Sequence, residues 1–392
     1  NLYEKKDIKI DCDIEDMCVT NSSTLIELIL NNLISNNFIE NTSLNISNVE
    51  IFDTNNIVVY ICGAVKENKV ISLDENSRIC DAIDAVGGLT NEADLTNINL
   101  DNILMIGNNA FEDCTKLNNV DLSSAYAIGR RAFANCKALE YVDITALRNA
   151  GVETFMNCSN LKTIDNGRYS NFSEKMFKNS GLTILTYYAD RIPNNCFENC
   201  DKLKEVKIEN NLVYVGNKAF YDCYSLSSVI FSENAGSEFI YKEAFAFNSY
   251  LSYVVLPNSE CYFEESVFKN CMFLSNVEFQ PLTKITENQG NMFDGCPELS
   301  NFVADNSLYY KVEDGLLVTK DGKEIILAPY IDASIQHNDT YTIGEQYEII
   351  GESAFSGVLH AKKLIIGSNI KLIKEKHFMI ITSLRLCYQI II

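Results

Sequence analysis

The chain has 392 residues, a formal net charge of −21 at pH 7 and 47% hydrophobic residues. That length exceeds one ordinary compact core and suits two domains or one repeat array. The acidic balance argues against a nucleic-acid partner, which would need a basic footprint to displace counterions, and it permits a basic partner or a bound cation.

Residues 1–55 are rich in Asn, Ile and Asp and weakly periodic. The segment from Lys9 to Asp13 reads as a short strand. Leu25 to Ile34 reads as a helix, with Ser22, Ser23 and Thr24 as cap candidates. No function is assigned to this segment. The chain begins with Asn rather than Met and shows no charged stretch followed by an apolar core, so a processed or trimmed chain is expected. No apolar run reaches the length of a membrane span.

Residues 56–100 form a more informative unit. An apolar β-type run, IVVYICGAV, is interrupted by Gly63. A second strand follows over Val70 to Leu73. Ser77 then caps a helix over Ile79 to Val86, ended by Gly87-Gly88. CGAV at 62–65, SRICDAIDAVGGLT at 77–90 and EADLTNINL at 92–100 resemble the soluble-ligand-binding β-grasp (SLBB) family. The resemblance implies a small ligand- or partner-binding unit, with Gly63, Ala64, Gly87 and Gly88 as the candidate ligand region. The helix-hairpin-helix module that grips DNA in some relatives does not follow. The alternative is that the unit is a rigid spacer or an N-terminal cap.

From about residue 101 the chain repeats. Phe111, Phe133, Phe155, Phe177, Phe197, Phe220, Phe245, Phe268 and Phe293 fall 20 to 25 residues apart, and Phe355 and Phe378 resume the beat. A Leu six residues after most of these Phe keeps the same rhythm. A period of 20–29 with a Leu-x-x-Val-x-Leu segment indicates a leucine-rich-repeat solenoid. In Leu139–Ile144, period-two alternation points Leu139, Val142 and Ile144 inward and Tyr141 and Asp143 outward. Ala132, Phe133 and Cys136 fill the other side of the coil on a short helical turn. One copy cannot bury its apolar face alone, so stability comes from stacking.

The chain carries 14 Cys, which suggests a disulfide or metal framework at first sight. Their spacing favours another role. Cys114, Cys136, Cys158, Cys200, Cys223, Cys271 and Cys296 each lie three residues after a repeat Phe, and no CxxC pair or zinc-like spacing occurs. A small apolar thiol recurring at one place is a core position.

The form Ile-Gly-x-x-Ala-Phe-x-x-Cys-x-x-Leu-x-x-Val-x-Leu resembles the BspA-like leucine-rich repeats found on bacterial and some protozoan surfaces. That resemblance implies a non-enzymatic, extracellular or cell-surface adhesion protein. Ser180 and Asn248 replace Cys, and Met176 and Cys196 replace Ala. Between residues 303 and 335 the beat is broken by YYKVEDGLLVTKDGKEIILAPY, where Asp314-Gly315 and Asp321-Gly322 signal β-hairpin turns. Such an insertion is frequent in the family. Residues 336–392 return to repeats, and the pattern decays after Phe378, as expected of a truncated end. The fold class is therefore α+β/repeat: a solenoid of 20- to 25-residue coils, an N-terminal β-grasp unit over 56–100, repeats over 101–302 and 336–392, and the hairpin insertion between them.

No catalytic constellation is visible. Only three His occur, none near a Ser or Cys in a recognisable nucleophile setting, and no P-loop, GxGxxG after a strand or HExxH is present. No cofactor or metal is expected. The outward strand positions are the candidate partner-binding face: Asp121, Tyr141, Asp143, Thr163, Asp165, Ile184, Thr186, Glu205, Lys207, Ile230, Tyr253, Val255 and Glu278. Asp121, Asp143 and Asp165 would stack about 4.8 Å apart, inviting a cation or a basic segment. The competing reading is that Asp is simply tolerated there, screened by salt. Exposed Ile184, Ile230 and Val255 with Tyr and Asn suit a protein or glycan partner, such as host matrix or a cell surface. The alternative function is a small-ligand or polysaccharide-associated module working through the β-grasp unit. The sequence does not fix the oligomeric state.

Overall fold

The structure is a computed structural model. It describes residues 105–375 apart from 168–169, 289–291, 333–339, 356–358 and 361–362, together with segments within 56–87 and the pair 97–98. The strand and helix expected within residues 1–55, and the tail after Phe378, lie outside the described residues.

The coil centred on Phe133 shows why the repeat folds as it does. Val142 and Ile144 are fully buried, while Tyr141 before them is exposed, as alternation requires. Each coil contributes one such strand to a parallel strip, here called strip A. Asn97–Ile98, Asn119–Val120, Tyr141–Asp143 and Thr163–Asp165 form a four-stranded run. Ile184–Tyr187, Glu205–Ile208, Ser228–Phe231, Tyr253–Val255, Asn276–Glu278 and Asn301–Val303 form a six-stranded run. Asn97–Ile98, counted with the β-grasp unit from sequence, is hydrogen-bonded into the solenoid. Between the two runs, Asn166 spans the irregular step: its amide donates to Thr186 O at 2.8 Å and accepts from Tyr188 N at 3.2 Å.

A second parallel strip, strip B, uses the Ile-Gly end of each coil. Met105–Ile106, Ala127–Ile128 and Asn149–Ala150 pair in order, and Arg191–Ile192, Leu212–Val215, Ser237–Ile240, Glu260–Phe263 and Lys284–Asn288 form a five-stranded continuation. At Gly129 and Gly151, which follow two of these strands, glycine gives clearance between coils. A Cβ on Gly129 would lie 2.6 Å from the backbone of Asn108, and one on Gly151 would lie 2.1 Å from Arg130 N.

The Phe-bearing segment is not the helical turn expected from sequence. It is a third ladder of turns, with a left-handed residue two before and two after each Phe: Asn109 and Asp113, Arg131 and Asn135, Glu153 and Asn157. Left-handed residues turn the N–H groups of alternate positions toward the next coil, which a helix would satisfy internally. Thus Asn109 N, Phe111 N and Asp113 N donate to Arg130 O, Ala132 O and Ala134 O at 2.8, 2.7 and 2.9 Å. Asn and Asp tolerate this region, whereas Arg, Glu, Lys and Phe do so at a cost of about 1–2 kcal/mol. Part of that cost is offset where charges alternate along the ladder. Arg131 donates to Glu112 on one neighbouring coil and to Glu153 on the other.

The core is one-dimensional. Rings Phe111, Phe133, Phe155, Phe177, Phe197, Phe220, Phe245, Phe268 and Phe293 stack in one column, with centroids 4.9 to 5.5 Å apart and planes within 12°. The cysteines beside them are free thiols. All but the half-buried Cys114 are buried as expected, yet they are also polar partners: Cys136, Cys158, Cys200 and Cys223 donate to Phe carbonyls one coil back at 3.1 to 3.2 Å.

The insertion forms two antiparallel pairings, Tyr310–Glu313 with Leu316–Thr319 and Leu316–Thr319 with Glu324–Leu327. Asp314 and Gly315 both have positive φ at the first turn, as a two-residue hairpin of matching twist requires. Glu324–Leu327 then pairs in parallel with Ile349–Ile350, and that strand with Leu372–Ile373, so the insertion leads back into the solenoid. The Tyr310 hydroxyl accepts from Ile285 N at 3.0 Å, tying the hairpin to the last strand of strip B before it.

In the N-terminal unit, Asn56–Ile61 pairs antiparallel with Lys69–Asp74, and a helix runs over Ile79–Ala85. Gly87 has φ +81° and donates to Asp84 O at 3.0 Å, the left-handed helix stop read from sequence. Ala82 and Val86 are buried.

Candidate interaction surface

Parallel pairing fixes which outward residues of strip A are neighbours. Tyr141 lies beside Thr163 and Asp143 beside Asp165. After the step, Ile184 is followed by Glu205, then Ser228, Tyr253 and Asn276, and the second row runs Thr186, Lys207, Ile230, Val255, Glu278. Ile184 stands out, with 57% of its surface open on a sheet face.

The structure corrects one of these positions. Val255 is only 8% exposed. It is flanked in register by Ile230 and Glu278, and the Tyr253 side chain reaches diagonally to hydrogen-bond the Glu278 carboxylate, so the row closes over it. Burial and then the Glu278 carboxylate push the Tyr253 hydroxyl up to about 12. Tyr141 uses the same diagonal, donating to Asp165 Oδ2 at 2.6 Å.

The aspartate row is occupied locally. Asp121 Oδ1 accepts from Ser123 N at 2.9 Å, and Asp143 Oδ1 from Thr145 N at 2.9 Å and its hydroxyl at 2.7 Å. These are Asx-type turns that end the strands. With Asp165 holding Tyr141, the three carboxylates serve the fold rather than converging on one point. Among the described residues no group of three or more His, Cys, Asp or Glu is arranged to hold a metal ion.

Of the β-grasp candidates, Gly63, Ala64 and Gly88 lie outside the described residues. Gly87 faces Lys66, whose Cβ would be 3.6 Å from an added Cβ. No described helix is long and apolar enough to cross a membrane.

Two surfaces escape alternation because they lie in turns or on strip B. On strip B, Tyr214, Phe239 and Tyr262 are in register, and Tyr241 packs on Phe239 with centroids 5.9 Å apart. At the corner entering strip A, Tyr224, Tyr250 and Phe273 form a contiguous ridge, 53%, 49% and 54% exposed. The signal for it in the sequence is a run of aromatics four or five residues after three successive core Phe.

Three stacked ladders per coil, a single-file core and an open sheet face define a leucine-rich-repeat solenoid, a scaffold for protein interaction. The chain belongs to the BspA-type leucine-rich-repeat family, whose region matches six copies over residues 89–190, 190–313 and 333–388. An SLBB domain matches residues 58–108. No curated protein matches the chain. Among solved structures it is similar to a leucine-rich cell-surface protein of Faecalibacterium prausnitzii, at 17% identity over 87% of this chain and 76% of that one, with TM-score 0.40. It is also similar to a leucine-rich-repeat protein of Bacteroides ovatus, at 19% identity over 54% of this chain and 82% of that one, with TM-score 0.28. A third is the pneumococcal vaccine antigen PcpA, at 14% identity over 83% and 66%, with TM-score 0.25.

Proposed function

We propose that the chain is a non-enzymatic interaction protein, displayed outside the cell or on its surface, that binds a protein partner through the outward face of strip A. The observation that carries this reading is Ile184. A 57% exposed isoleucine stands on the first strand of the six-stranded run, beside Glu205 and on the same outward face as Thr186 and Lys207, where the fold does not need it. An apolar point ringed by adaptable polar groups is the composition of an interface centre. The buried thiols are consistent with an oxidising exterior, since burial pushes Cys158 up to about 12 and keeps it from forming thiolate. That one similar structure is described as a cell-surface protein supports the location.

The test is a binding screen of the purified chain against matrix proteins, cell surfaces and glycans, repeated with Ile184→Lys. The expected result is binding to a protein that falls at least about tenfold in the variant, with an unchanged unfolding midpoint. Binding that survives Ile184→Lys, or that appears only with glycans, would overturn the reading.

A further inference from the structure

The corner that leads into strip A carries a second surface with a different chemistry. Its members belong to three consecutive coils: Tyr221 and Tyr224, then Phe247 and Tyr250, then Met272 and Phe273. The outer rings touch in sequence, Tyr224 to Tyr250 at 5.0 Å between centroids and Tyr250 to Phe273 at 5.6 Å. The inner pair, Tyr221 and Phe247, is also 5.0 Å apart. None of this aromatic surface is required by the core, whose own column of Phe is complete beneath it.

The backbone makes the same point. Two residues after eight of the nine stacked core Phe, the chain places Asp, Asn or Gly in the left-handed region, at Asp113, Asn135, Asn157, Asn179, Asn199, Asp222, Asn270 and Gly295. Phe247 occupies that position with φ +64°. A bulky aromatic there is strained where Asn would be relaxed. The chain thus bears a local cost to put a ring at this corner.

Charge tells what the ridge would take. The coil preceding it places Asp201 at the position Tyr224 holds, and Asp222 lies two residues before Tyr224. Partial burial, and then the neighbouring Asp222, raise the Asp201 carboxyl above its ordinary range. Ring faces attract cations, and the fold already uses this here, with Lys218 Nζ 4.8 Å over the Tyr221 ring. The chain as a whole has a net charge of −21.

We infer that the Tyr224–Tyr250–Phe273 ridge, with Asp201 and Asp222 at its edge, is a docking surface for a cationic segment of a partner protein, its Arg or Lys side chains lying on the rings. This surface is separate from Ile184 and stands whether or not strip A binds.

The test uses an oligo-arginine peptide as probe and the full chain, titrated by fluorescence anisotropy at two salt concentrations. Tyr224→Ser/Tyr250→Ser/Phe273→Ser is expected to weaken binding at least about tenfold, and Asp201→Asn/Asp222→Asn to weaken it and flatten the salt dependence. Glu233→Gln/Glu238→Gln, which removes two exposed charges elsewhere, is expected to leave affinity unchanged. Circular dichroism melts and retained probe binding by Ile184→Lys check that the fold and strip A are not the cause. Equal loss in the Glu233/Glu238 variant would reduce the effect to general charge and overturn the inference. So would unaltered binding in the aromatic variant, or ridge-dependent binding of neutral oligosaccharides in place of the peptide.

Discussion

Cys136 donates its thiol to the backbone carbonyl of Phe111, one coil earlier, with sulfur and oxygen 3.1 Å apart. The repeated cysteine is therefore both a small core filler and a hydrogen-bond donor, and substitutions separate the two roles. Cys136→Val keeps apolar volume and removes the donor, leaving the Phe111 carbonyl with the Cys114 N–H alone. Its expected cost is about 0.5–1 kcal/mol, and that of Cys136→Ala, which adds a cavity, about 1–2 kcal/mol. Urea unfolding midpoints measure both. Equal midpoints for Val and wild type would mean that the thiol only fills space.

Asn248 replaces the cysteine in one coil and does more than it. Its amide donates to Phe220 O at 2.9 Å and Phe245 O at 2.8 Å, and its oxygen accepts from Cys223 N at 2.8 Å. Asn248→Ala strands Phe220 O and Cys223 N, leaves Phe245 O with the Cys271 thiol as donor, and should cost about 2–4 kcal/mol. Restoring the family residue with Asn248→Cys should still destabilise, because a thiol cannot serve all three. A stabilised Cys variant in thermal melts would contradict this.

The ring column predicts an end effect. Phe133 stacks on both sides, at 4.9 Å to Phe111 and 5.3 Å to Phe155, while Phe111 begins the described column. Phe133→Ala should cost about 3–5 kcal/mol. Phe111→Ala should cost less by about 0.5–1.5 kcal/mol, the worth of one aromatic pair. Chemical denaturation of the two variants side by side decides it.

Clearance between coils gives a sharper contrast. Gly151→Ala must push a Cβ to 2.1 Å from Arg130 N, whereas an added Cβ at Gly107 meets nothing within 4 Å among the described residues. Gly151→Ala should destabilise by about 2 kcal/mol or more, and Gly107→Ala should be neutral or slightly stabilising. Similar melting shifts for both would show that the coils can slide apart.

Alkaline pH should weaken the fold. Burial raises the Cys158 thiol from 9.0 to about 12, and burial first also raises the Tyr310 and Tyr341 hydroxyls from 10.0 to about 12. Groups raised in the folded state contribute stability that is complete below their unfolded values. That stability is lost as pH climbs from about 9 toward about 12. The urea midpoint should be level through neutrality and fall above about pH 9. A level midpoint at about pH 10.5 would contradict the linkage.

The part of this fold that is legible in the chain is the part that periodicity can see. The beat of Phe, Cys and Leu carries the coils, and strict alternation carries the register of Tyr141 with Thr163 and Asp143 with Asp165. Alternation is blind to the size of neighbours, so it puts Val255 in the open, where Tyr253 and Ile230 close over it. The left-handed ladder is half legible. Asn or Asp two residues after most core Phe marks it, but Arg131, Glu153 and Lys175 two before leave no such trace. The aromatic corner escapes because it lies in turns, where a period-two reading assigns no face.

The thiol bonds also give the array a direction. Cys136, Cys158, Cys200 and Cys223 each reach for a carbonyl in the coil behind them. During synthesis the amino-terminal coils emerge first, so a new coil meets its acceptor already in place. The backbone donors of the Phe turns point the other way, from Asn109, Phe111 and Asp113 to the coil that follows, so a coil is completed only when both of its neighbours have formed.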